Sequence, residues 1–142
     1  MSYILNIPSN FSYYTLLGFQ RAQPDYGSLT IELYTAVASG TPDLRSNFTP
    51  AAFTGYAPQL MNLNSSIYDD APISSLEMAF DAITFQLTGP HAPGYHIKGF
   101  FVYDSTDTII FWNPFDGGDW IPVNIGDFLS LSIFMPCLYS YP

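Results

Sequence analysis

Tyr95-His96-Ile97-Lys98-Gly99-Phe100-Phe101-Val102-Tyr103, Asp104-Ser105-Thr106-Asp107 and Thr108-Ile109-Ile110-Phe111-Trp112 follow one another without a break. The outer two runs are dense in aromatic and β-branched side chains, which suit a pleated, half-buried surface. The four residues between them carry the short Asp and Ser/Thr side chains that fold back on their own backbone in turns. The stretch therefore reads as a β-hairpin, and the same grammar extends outward on both sides. Downstream, Asn113–Asp119 is a loop and Trp120-Ile121-Pro122-Val123 a short edge-like strand, because Pro122 cannot donate to a ladder. Gly126-Asp127 makes a turn, and Phe128–Met135 is a last strand. Upstream, Met78–Leu87 alternates so that Ala79, Asp81, Ile83, Phe85 and Leu87 share a face, with Asp81 leaving the register open. Leu29–Tyr34 alternates likewise, whereas the polar stretch from Asn62 to Pro72 reads as a loop.

Helical signals are sparse. Thr49-Pro50-Ala51-Ala52-Phe53-Thr54-Gly55 has an N-cap Thr, a Pro at the first helical position and a closing Gly, which suits one helical turn. Ser12 to Phe19 offers a second through Tyr13, Leu16 and Leu17. The expected fold is all-β: an antiparallel β-sandwich, jelly-roll or immunoglobulin-like, with one or two short helical turns. Residues 1–28 form an N-terminal arm and 29–142 the sandwich domain.

Composition narrows the function classes. The 142 residues fit one domain able to bury a core without cross-links. Aromatics reach 18% while charged residues are only 11%, against about 25% in ordinary domains, so neutral polar and aromatic groups must cover much of the surface. Exposed aromatic surface usually marks an interface. Twelve acids stand against three bases, Arg21, Arg45 and Lys98, for a net charge of −9. Three cations neutralise few phosphates, so no nucleic-acid partner is expected, and the same deficit disfavours an anionic membrane. No apolar run is long enough for a helical span, and the first eight residues lack the basic and apolar regions of a secretory signal. The lone Cys137 forms no internal disulfide, which points to synthesis in a reducing cytoplasm.

Catalytic and cofactor signatures are thin, and the chain is read as a non-enzyme without a cofactor. His91 lies in a loop of breakers and His96 opens a strand, and no G-x-S-x-G elbow accompanies them. One Cys and two His do not make a zinc set. Asp69, Asp70, Asp104, Asp107, Asp116 and Asp119 sit in expected loops and could hold a structural cation or flank a sugar, but solvated turn residues are the simpler account. Trp112 and Trp120, with Phe115 between them, are either a carbohydrate-stacking platform or core residues.

A set of short motifs runs in order through residues 29–135: Phe53-Thr54-Gly55-Tyr56-Ala57, Ala82-Ile83-Thr84-Phe85, Ile97-Lys98-Gly99-Phe100-Phe101-Val102-Tyr103-Asp104, Ile110-Phe111-Trp112, and Gly126-Asp127-Phe128-Leu129-Ser130-Leu131. The set resembles a family of small structural proteins of tailed bacteriophages. It departs from that pattern after Trp112, where Asn113-Pro114-Phe115 replaces a charged pair. The resemblance implies a virion component made in the host cytoplasm: a cement (decoration) protein on the capsid exterior that binds the major capsid protein, or else a tail or tail-fibre module that binds a host receptor or carbohydrate. A homo-oligomer is expected. The aromatic side chains expected to make the contacts lie outside the strand core: Tyr13, Tyr14, Phe19 and Tyr26 in the arm, and Tyr139 and Tyr141 in the tail.

Overall fold

The computed structural model describes residues 2–4, 29–38, 41–68 and 73–140, with side chains placed for 29–38, 41–62 and 80–133. Among these residues lie ten strands: β1 (Ser2–Ile4), β2 (Thr30–Val37), β3 (Phe48–Pro50), β4 (Gln59–Leu60), β5 (Leu63–Tyr68), β6 (Ile73–Phe80), β7 (Ile83–Gln86), β8 (Gly99–Tyr103), β9 (Ile109–Pro114) and β10 (Phe128–Ser140). They form two sheets. One runs β3-β2-β8-β9, with β4 also on β2; the other runs β1-β10-β6-β5, with β7 also on β10. All pairings are antiparallel except β1 on β10. The all-β sandwich expected from the sequence is the fold observed.

Period-2 alternation builds the core between the sheets. Ile31 and Leu33 of β2, Phe100 and Val102 of β8, and Phe111 of β9 point inward from the first sheet. Ile83 and Phe85 of β7, with Leu87 just beyond it, and Leu129, Leu131 and Ile133 of β10 meet them from the second. The Gln59 amide crosses the seam between the sheets to the Thr84 carbonyl at 2.6 Å.

The outer face of the β2-β8-β9 sheet is not wet, as an antiparallel sheet's second face often is. Tyr34, Phe48, Phe101, Tyr103 and Ile109 make a second buried cluster there, with Trp112 at its margin. Phe48 and Phe101 stack at 4.3 Å. Residues 41–47 fold over one end of this cluster, pinned by Ile109 N–H to the Asp43 carbonyl (3.0 Å) and Arg45 N–H to the Asp107 carbonyl (2.9 Å). Glu32 is only 2% exposed on this face. Its carboxylate takes the Arg45 Nε–H at 2.9 Å, which is what makes its burial tolerable.

Several local expectations need correction. Residues 49–55 hold no helix: Thr49 and Pro50 belong to edge strand β3, where a missing N–H does no harm, and Phe53–Tyr56 is a turn closed by Tyr56 N–H to the Phe53 carbonyl at 2.9 Å. The single helical turn among the described residues is the 3-10 turn Arg45–Asn47. The stretch read as a loop from Asn62 contains β5, a strand paired with β6. Met78–Leu87 is not one strand: it breaks at exposed Asp81 and Ala82, so Phe80 is buried on one side of the break and Ile83, Phe85 and Leu87 on the other. Trp120–Val123 is no strand either; Trp120 alone bridges Ile97. The helix expected at Ser12–Phe19 lies outside the described residues.

Candidate contact surface

The segment from Trp120 to Phe128 is short, tied down at both ends and unusually apolar on its exposed side. Its start is fixed by reciprocal backbone bonds between Trp120 and Ile97 at 2.8 and 2.9 Å, and by the Trp120 ring packing edge-on against Phe53. Pro122 is buried and turns the chain inward. The far end enters β10, with Phe128 opposite Gln86 and Leu129 in the core.

The turn between is built by Asp127 and Gly126. The Asp127 carboxylate accepts the N–H groups of Val123 and Asn124, both at 2.8 Å. Its own N–H closes the turn on the Asn124 carbonyl at 2.9 Å. Gly126 sits at φ +100°, a region that side-chain-bearing residues avoid. Its N–H and the Asp127 carbonyl bond the two ends of Leu87, at 2.8 and 2.9 Å. The two N–H groups hold the Asp127 carboxyl below the usual carboxylate range, so the charge persists at neutral pH.

On this fixed turn Val123 is 67% exposed, Ile125 65%, Phe128 64% and Ile121 38%. Isolated exposed apolar residues are ordinary. Four within eight residues, on a turn held by five hydrogen bonds, make a ridge. Each large side chain left in water forgoes about 1.5–3 kcal/mol of burial. The outward positions of β10 that follow Phe128, Ser130 and Ser132, are polar, so the phenyl ring is the exception on its face.

The residues expected to make contacts lie elsewhere. Tyr13, Tyr14, Phe19, Tyr26 and Tyr141 fall outside the described residues. Tyr139 lies within β10, in register with Ser74 of β6, and so belongs to a sheet instead of a tail. Ser2–Ile4, read as part of the arm, pair with Ser132–Phe134 of β10.

The structure separates the three aromatics for which the sequence left a sugar platform and core packing open. Phe115 and Trp120 pack on the core between the sheets, while Trp112 lies on the outer cluster, edge-on to Tyr34 and Phe48. His91 stands edge-on between Tyr95 and Phe53, and His96 Nδ1 meets Asp119 at 3.1 Å beside Lys98. Of the loop acids, Asp69 and Asp70 lie outside the described residues, and Asp104, Asp107 and Asp119 have local partners. Asp104 caps its own turn through Thr106 and Thr108, and Asp107 faces Arg45 at 3.8 Å. No group of three or more metal-ligating side chains occurs among the described residues, and no helix there is long and apolar enough to cross a membrane. Burial pushes the Tyr34 and Tyr103 hydroxyls up to about 12, helped by the charge of Asp119 at Tyr34 and by a hydrogen bond to Glu32 at Tyr103.

No family model, curated protein or solved structure matches the chain.

Proposed function

We propose that this chain is a structural subunit of a tailed-bacteriophage virion, a cement protein that seats on the capsid exterior and binds the major capsid protein. Its role is contact, not catalysis. The observation that carries this reading is the Ile121–Phe128 ridge, apolar side chains held out in water by a turn that cannot collapse over them. Preorganised apolar anchors of this kind concentrate binding energy, because little ordering cost remains to be met on association. The composition supports the same reading, and so does the resemblance carried by the motifs between residues 29 and 135.

Quantitative mass spectrometry of purified virions that encode the chain tests the assignment. A shell component is expected on the order of hundreds of copies per particle, as a symmetric shell demands. A handful of copies would move the protein to the tail or a fibre, and its absence from the particle would overturn the reading. Incorporation of the Val123→Ser/Phe128→Ser variant is expected to fall by about tenfold or more, with an unchanged melting temperature.

A further inference from the structure

We infer that the partner of the Ile121–Phe128 ridge is a protein surface with an apolar recess rimmed by lysine or arginine, and not a second copy of this chain. The inference rests on the ridge being the contact surface, and three observations shape it. Asp127 sits inside the ridge, and its carboxylate stays ionised because the Val123 and Asn124 N–H groups hold it. Any surface closing over Val123, Ile125 and Phe128 removes water from around that charge, which is costly unless a cation faces it. Among the described residues, neither base is left over for the purpose. Arg45 is engaged by Glu32 and Asp107, and Lys98 by Asp119, while acids outnumber bases twelve to three in the sequence.

A two-fold contact between copies would set each ridge, with its Asp127, against the other, and would join two chains of net charge −9.

An mRNA-displayed library of random twelve-residue peptides, selected on the immobilised full chain at low salt, tests this. Enriched peptides are expected to pair aromatic or aliphatic residues with Lys or Arg above the starting composition. Their affinity is expected to fall about tenfold for Phe128→Ser, several-fold for Asp127→Asn, and several-fold between 50 and 500 mM salt. Circular dichroism of both variants verifies that they fold. Failure to enrich any peptide, or an enriched pool with no excess of cations, overturns the partner chemistry. A cation-free pool that still requires Phe128 would leave the ridge standing as a contact surface; binding indifferent to Phe128 would remove both. Sedimentation velocity covers the remaining occupant, since a dimer that Phe128→Ser dissolves would show that a second copy fills the ridge.

Discussion

Glu32 is the residue on which the outer face of the sandwich turns. A carboxylate 2% exposed beneath Phe101 and Tyr103 is tolerable only with its partners in place: Arg45 Nε at 2.9 Å and the Tyr103 hydroxyl, with the guanidinium lying 4.7 Å over the Tyr103 ring. Removing the cation leaves a buried charge without its partner. Breaking a fully buried pair costs about 3–5 kcal/mol, but Arg45 is 42% exposed, so Arg45→Met is expected to cost about 1–3 kcal/mol by urea denaturation. The double variant Glu32→Gln/Arg45→Met, with no charge left to strand, is expected to recover part of that loss. A double variant no more stable than Arg45→Met would show that the cost lies in packing and not in charge. Tyr56 does comparable work without charge. Its hydroxyl receives the Leu33 N–H at 3.0 Å where the edge of β2 passes from β4 to β3, filling a gap in the ladder. Gly55, at φ +91°, lets that tyrosine turn inward, and a Cβ there would collide with Thr88 Oγ1 and approach the Gln86 carbonyl to 2.9 Å. Two residues of the Phe53–Ala57 motif are thus explained by scaffold geometry alone.

At the scale of elements, the 121–128 turn is the part whose rigidity matters. Asp127→Ala removes the acceptor of two N–H groups while leaving the Gly126 and Asp127 backbone bonds to Leu87 in place. Amide exchange at Val123 and Asn124 is expected to accelerate by about tenfold or more, with β8 protection unchanged. Equal acceleration in β8 would mean that the turn holds the sandwich and not only the ridge. The strands that were legible in the sequence were those with apolar side chains on at least one buried face. β8 and β9 announced themselves because Phe100, Val102 and Phe111 alternate with a second apolar set, and because the Asp104 turn is chemically specific. β5 was invisible because Asn64, Ser65 and Ser66 look like loop residues until β6 is placed beside them. Residues 49–55 misled because a Pro after Thr starts a helix and sits on an edge strand equally well. The ridge itself was not legible. Ile121, Val123, Ile125 and Phe128 have the composition of strand interiors, and only the buried Pro122 and the Asp127 cap determine that they face outward. The one local clue was Gly126-Asp127, which fixed a turn but not which side chains it would expose.

For the whole molecule, the buried hydroxyls make stability depend on pH in the alkaline range. Tyr34 and Tyr103 titrate near 12 in the folded protein against an ordinary 10. Between about pH 10 and 12 the unfolded chain releases protons that the folded chain retains, so stability falls as pH rises through that window and is unaffected by these groups below it. Urea midpoints measured at pH 9, 10.5 and 11.5 are expected to decline, and Tyr34→Phe/Tyr103→Phe to decline less steeply. Equal slopes would mean that other groups carry the dependence. Strand β10 gives the molecule a second global property. Its first four residues pair with β7, its last seven with β6, and β1 runs beside its middle in the same direction. Tension applied through Ser2 and Ser140 therefore loads the three β1–β10 pairs sideways and together, instead of peeling them open one at a time. A chain wired in this way resists being drawn apart between β1 and the far end of β10.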